Sequence, residues 1–138
     1  MNYLVDTNVL CEPKQKRPES KVVNWLKANE ASLYTSVLVT GELRYGIELL
    51  PANSARRAAL LKWHEEMLEI MAGRVLSINA RVAEEWGRLQ AEARAKNVVL
   101  PVVDSLLAAT ARRYQLVLAT DNTSDFRGAG LKIVNPFD

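Results

Sequence analysis

NVVLPVVDSLLAATA, residues 97–111, contains one charged side chain, Asp104. On a helix its neighbours three and four positions away are Leu100, Pro101, Leu107 and Ala108, all apolar. Removing a carboxylate from water without a partner is costly, so such a group is neutralised, paired or bound to a metal. Two readings are open at this point. Asp104 either caps its own helix or bonds an arginine, or it belongs to a site. Pro101 suits the first turn of a helix running to Tyr114, which places Asp104 in that first turn.

Outward from this helix, short apolar segments alternate with amphipathic ones. Downstream, Leu116–Ala119 and Lys132–Val134 read as strands. Upstream, Asn79 caps a helix whose stripe is Val82, Trp86, Leu89 and Ala93. Val75–Ile78 reads as a strand before it. Ser54 caps a long helix through Ile70, closed by Gly73. A helix from about Val37 carries Val39, Leu43, Ile47 and Leu50 inward and stops at Pro51. Ser32–Thr35 is a strand candidate, and Ser20 caps a helix holding Val22, Val23 and Leu26. Tyr3–Val5 is a buried strand ended by Asp6, Thr7 and Asn8, and Pro13–Pro18 (PKQKRP) reads as an exposed loop. The pattern predicts an α/β fold with a small, mainly parallel sheet of about five short strands flanked by helices. Helix pairs between successive strands make it irregular rather than a strict βαβ ladder.

A chain of 138 residues without repeats or a break in composition predicts one domain, residues 1–138. A net charge of +2 permits contact with nucleic acid without arguing for it. The single Cys11 excludes an internal disulfide framework and fits a reducing compartment; it reads as a small buried apolar residue. The opening MNYLVDTN has no signal-peptide pattern, and no apolar run has the length of a membrane span, so the expected location is cytoplasmic with no membrane partner. His64 has no ligand-spaced companion, which speaks against zinc. No phosphate-cradling glycine loop is present.

Ligands of open α/β sheets bind beyond the carboxyl ends of the strands. Asp6 directly follows the first strand, and Asp121 and Asp125 follow the fourth. Glu42 lies on the helix after the second strand, and a helical side chain points back toward its N-terminus. With Asp104 in its own first turn, four distant acids can meet at one edge. Each also has a bland reading. Asp6 can cap a turn, Glu42 can pair with Arg44 or a distant arginine, and Asp121 or Asp125 can be ordinary loop acids. Clustered carboxylates repel one another unless protonated or filled by a cation, and an oxygen-only set favours Mg²⁺ or Mn²⁺. Trp25, Trp63 and Trp86, with the two long central helices, offer more apolar surface than a small sheet needs to cover, which points to a homodimer.

LVDTNVL at 4–10, Glu42 in TGELRYG, Asp104 in LPVVDSLLAATA and the late ATDNTSDF resemble, in order and spacing, the PIN-domain ribonucleases. The likeness covers essentially the whole chain. Within that family it is greatest to the VapC-type toxins of toxin–antitoxin pairs, near the FitB branch, with the early Glu-Pro and the closing NPF contributing. The resemblance implies a PIN fold, cleavage of RNA with Mg²⁺ or Mn²⁺, and a cognate antitoxin that blocks the site and joins the toxin to operator DNA. It also implies a homodimer.

It carries Asp6, Glu42 and Asp104 over as an acidic triad. Relatives place a fourth acid at the position of Asn122 or Asp125, often with a basic residue where this chain has Asp121. Asp125 is the favoured fourth acid and Asp121 the next candidate as a metal ligand. Thr7, Asn8, Thr120 and Asn122 are the expected hydrogen-bonders around the acids. Two rivals remain: a catalytically weak partner subunit in an antitoxin–operator DNA complex, and a phosphatase of the haloacid-dehalogenase type. The latter wants a second Asp two residues after the first, where this chain has Asn8.

Overall fold

The structure, a computed structural model, describes residues 1–138. Five strands form one all-parallel sheet in the order β3-β2-β1-β4-β5. They are β1 (Tyr3–Val5), β2 (Leu33–Ser36), β3 (Val75–Leu76), β4 (Val117–Ala119) and β5 (Ile133–Val134). Six helices connect them: α1 (Thr7–Leu10), α2 (Ser20–Ala28), α3 (Val37–Glu48), α4 (Ala55–Ile70), α5 (Ala80–Ala95) and α6 (Val102–Tyr114). β1 is the centre of the sheet, with Tyr3 opposite Leu33 on one side and Val117 on the other. A parallel strand in that position is covered on both faces, which is why YLV and VLA read as unbroken apolar runs. Leu4, Val5, Leu118 and Ala119 are fully buried.

Strand order rises one way from β1 through β2 to β3 and the other way through β4 to β5. The connections therefore diverge between β1 and β4, and a crevice opens beyond their carboxyl ends. The Asp6 amide extends that pair by donating to the Ala119 carbonyl at 2.9 Å.

Local chemistry explains most boundaries. Ser36, Ser54 and Asn79 accept hydrogen bonds from the amides of Leu38, Arg57 and Val82 and so start α3, α4 and α5. α6 ends on Gln115 in the left-handed conformation, with the Leu116 amide bonded back to the Ala111 carbonyl.

Elsewhere the structure departs from the sequence reading. Asp6, Thr7 and Asn8 do not merely end β1, because Thr7–Leu10 winds one turn of helix with Asp6 as its cap. Ser20 is the first residue of α2, and Glu19 holds the cap position without a side-chain bond. The PKQKRP loop begins with a single 3₁₀ turn over Glu12–Lys14. β3 is cut to Val75 and Leu76 because only those residues pair with Thr35 and Ser36.

The three tryptophans are each half-buried. Trp25 meets Tyr3 edge-on at 4.9 Å, Trp63 packs against the core, and Trp86 bonds into α6. The exposed apolar residues include Val99, Val102 and Val103, beside Asp104, with Tyr45, Leu49 and Ile70 elsewhere. No helix is long and apolar enough to cross a membrane.

Leu118, fully buried in a central strand, tests this account of the core. Leu118→Ala is expected to lower unfolding free energy by about 3 kcal/mol. Val99→Ala, at a fully solvated position, should change it by less than about 0.5 kcal/mol. Urea denaturation followed by circular dichroism measures both.

Candidate active site

Asp6 stands where β1 gives way to α1 and is 7 % exposed. A buried carboxylate needs donors, and Asp6 has three. One oxygen accepts the Thr7 amide at 2.8 Å, and the other accepts the Thr120 hydroxyl at 2.8 Å and the Asn8 side-chain amide at 3.3 Å. Thr120 follows β4, so this bond closes the crevice between the two central strands. Thr120 Oγ1 also accepts the Asn122 amide, and Asn8 Oδ1 accepts the Asp121 amide, both at 3.1 Å. The four polar residues expected around the acids thus form a network about Asp6 or its neighbours. Asn122 takes part through its backbone rather than its side chain.

Glu42 is exposed on the second turn of α3 and accepts the Thr7 hydroxyl at 3.1 Å. It has no arginine partner. Arg44, the nearest candidate in sequence, turns to Glu48, as does Arg57. Asp104 is in the first turn of α6, half-buried, and belongs to none of the ion pairs in the protein. The arginine-bonded reading of Asp104 therefore fails. It does not cap α6 either, since Pro101 holds that position with no side-chain bond.

The electrostatics record which acids meet. Burial, then the charges of Asp6, Asp125 and Glu42, push the Asp104 carboxyl above its ordinary value. Four acids from four separate elements therefore share one field. Asp125 lies in the 3₁₀ turn Thr123–Phe126 and is the loop acid felt by Asp104. Asp121 sits on the other side: burial, then the charge of Asp6, raise its pKa, with a smaller push from Glu12.

These side chains do not close into a ready-made metal cage of three or more ligands. Glu42 is turned toward Thr7, and Asp104 feels the charges of Asp6, Asp125 and Glu42. The donor set itself fits a hard cation. It is all oxygen, its charges repel one another, and no lysine or arginine of the chain neutralises Asp104. Mg²⁺ and Mn²⁺ take such ligands.

Several features had no signal in the sequence. Trp86 on α5 donates its indole hydrogen to Ser105 Oγ at 2.8 Å, and Ser105 donates onward to the Val102 carbonyl at 2.6 Å. That chain pins the first turn of α6, which displays Asp104. Arg112, in the last turn of α6, is held by Glu85 and Glu92 of α5, away from Asp104 in the first turn. Cys11 is half-buried rather than buried, with Sγ against the Asn8 carbonyl, and burial pushes its thiol up. His64 is buried in α4 and donates Nε2–H to the Thr40 carbonyl at 3.0 Å, a structural bond between α4 and α3.

Comparison with known proteins agrees with this architecture. The chain matches the PIN domain over residues 3–130. VapC ribonuclease Y4jK of Sinorhizobium fredii is 34% identical over 136 residues, covering 98% of this chain and 97% of that protein. Toxin FitB of Neisseria gonorrhoeae is 30% identical over 135 residues, 97% of each. The solved structure of FitAB bound to an IR36 DNA fragment superposes with a TM-score of 0.92 at 30% identity, covering 99% of this chain and 96% of that one. The chain belongs to the PIN-domain family, in the group that holds VapC ribonuclease Y4jK and toxin FitB.

Proposed function

We propose that the protein is the toxin of a type II toxin–antitoxin pair and a Mg²⁺-dependent ribonuclease that hydrolyses RNA phosphodiesters at its acidic edge. The observation that carries this reading is Asp104, a carboxylate with no cationic partner in a field made by Asp6, Asp125 and Glu42. Asp6 and Asp104 are assigned as direct ligands of the cation, with Glu42 and Asp125 completing the set directly or through water. Asp121 is the alternative loop acid. Bound there, Mg²⁺ or Mn²⁺ would supply a more acidic water and neutralise charge building on the phosphate.

The chain's own residues do the rest. Thr7, Asn8 and Thr120 fix the Asp6 carboxylate in one orientation, and Asn122 anchors Thr120 through its amide. Trp86 and Ser105 hold the turn that presents Asp104. Glu42, Asp121 and Asp125 are exposed, which leaves the edge open to a polymer rather than a small molecule. In the cell the protein is read as cytoplasmic and homodimeric, and the exposed valines at 99, 102 and 103 are available to a second copy. The name of toxin FitB supports an antitoxin partner, and operator DNA is expected only through that partner. A second reading, a catalytically weak subunit of that DNA-bound assembly, draws on the FitAB structure with DNA.

Asp104→Asn separates the two readings. Outer hydrogen-bond partners of metal ligands are worth roughly 10- to 100-fold, so removal of a ligand should cut RNA cleavage by more than about 100-fold. Antitoxin and DNA binding should persist. The same variant should stabilise the metal-free protein. A carboxyl whose folded pKa is raised is more protonated folded than unfolded, so its ionisation opposes folding as pH climbs above the ordinary value of 3.8. In EDTA, Asp104→Asn is expected to raise Tm at pH 7.5. The gain should shrink as pH falls through the raised pKa toward 3.8. Lost stability in EDTA would return Asp104 to a structural role.

Raised carboxyls at Asp104 and Asp121 make protons compete with the cation. The Mg²⁺ concentration for half-maximal cleavage should therefore rise as pH drops, by up to about tenfold per pH unit for each proton displaced. Cleavage should vanish in excess EDTA and return with Mn²⁺. Cleavage by verified metal-free protein would end the metal-dependent reading.

A cluster of carboxylates attracts positive charge, so the antitoxin is expected to present an Arg or Lys from its C-terminal segment to Asp6, Glu42, Asp104 or Asp125. Replacing that residue by Ala should restore cleavage in the complex more than it weakens the complex. A complex whose RNA cleavage is unimpeded would show that inhibition works elsewhere.

A further inference from the structure

A cleft of about 210 Å³ leaves the acidic edge at Thr7 and Glu42. It runs between the 3₁₀ turn at Glu12–Lys14 and the facing helices α3 and α4. Leu43, Leu60 and Trp63 make it apolar inside, while Lys14 and Arg56 stand on its rim. Arg56 donates Nη2–H to the Lys14 carbonyl at 3.1 Å, which ties the two basic residues together.

Their charges are unspent. Arg44 and Arg57, on the same two helices, are taken by Glu48, and Arg88 and Arg112 are taken by Glu85 and Glu92. Lys14 and Arg56 are both exposed and neither joins an ion pair. Arg56 is also the second residue of α4, where the helix dipole opposes a cation. Its charge therefore does nothing for α4.

We propose that this cleft binds the segment of single-stranded RNA flanking the scissile bond. Lys14 and Arg56 hold its phosphate, and the apolar interior takes its base or ribose. The proposal rests on the ribonuclease reading of the acidic edge. It assigns the cleft to RNA on charge: a run of phosphates crossing a cluster of carboxylates is repelled there, and a basic, partly apolar continuation supplies the attraction. A metal at the acids accounts for one phosphate only. Unpaired bases have apolar faces that sit against Leu60 and Trp63, whereas a duplex hides them.

The test uses the full-length protein freed of antitoxin and a fluorescein-labelled 12-nucleotide single-stranded RNA of mixed sequence. Binding is followed by anisotropy with Ca²⁺ in place of Mg²⁺ over a series of salt concentrations. The Lys14→Ala/Arg56→Ala double variant is expected to bind about tenfold more weakly at 0.1 M salt. The slope of log affinity against log salt should fall by about 0.7, the value for one single-strand phosphate that no longer meets a cation. In Mg²⁺ the weaker binding should appear as a higher KM. A Lys96→Ala/Lys132→Ala control removes the same charge at positions outside the cleft and should leave affinity and slope as in wild type. A double variant that keeps the wild-type affinity and slope overturns the proposal, while cleavage by wild type still upholds the ribonuclease reading. The proposal is equally overturned if the double variant loses antitoxin affinity alone, since the cleft then belongs to the protein partner. Wild-type protein that neither binds nor cleaves RNA removes both readings together.

Discussion

A carboxylate placed out of water must be met by donors, and the sheet is organised around meeting that demand for Asp6. The residue sits at the divergence of the two central strands, where its own backbone continues the β1–β4 pairing and its side chain starts α1. Three donors reach it: the amide of Thr7, the amide group of Asn8 and, from 114 residues further along the chain, the hydroxyl of Thr120. The bonds do two jobs at once. They cancel the cost of burying the charge, and they tie the loop after β4 to the end of β1, where Asn8 and Thr120 then fix the backbone at Asp121 and Asn122.

Asp104 has the opposite setting. No donor side chain approaches it, its helix starts without a side-chain cap, and three other acids press on it. Such an arrangement opposes folding, and the rest of the helix compensates. Ser105, the next residue, is fully buried and bonded to Trp86, and α6 closes with a left-handed cap and an arginine held between two glutamates. Strain of this kind gathers where a protein must hold groups in place for a ligand.

The sequence carried this contrast unevenly. Asp104 was legible because it is the one charge in an apolar stretch, and α3 to α6 were legible because their apolar periods are long and two of them open on Ser54 and Asn79. β1 and β4 followed from short apolar runs, and the carboxyl-edge rule then placed Asp6 and the 121–125 loop together. What escaped has tertiary causes. One helical turn at Thr7–Leu10 is too short to show a period. Trp86 reads as another member of a stripe until Ser105 stands opposite its indole nitrogen. Arg112 shares α6 with Asp104, yet a helix of thirteen residues separates its ends enough to give the two different neighbours, which the sequence does not show. Tryptophan count suggested spare surface because a sequence does not reveal that Tyr3, the core and α6 each cover part of one ring.

The pairing of Tyr3 with Val117 has a consequence for synthesis on the ribosome. The central strand is made before the other four and waits for a neighbour more than a hundred residues behind it. Until β4 has left the exit tunnel, Asp6 has no Thr120 and the two halves of the acidic edge are parts of different, unjoined segments. A stalled or truncated product that stops within α6 carries Asp6, Glu42 and Asp104 but lacks the strand that brings the first of them beside the last. The topology thus delays assembly of the edge until β4 is free to pair, a built-in lag set by contact order rather than by any regulator.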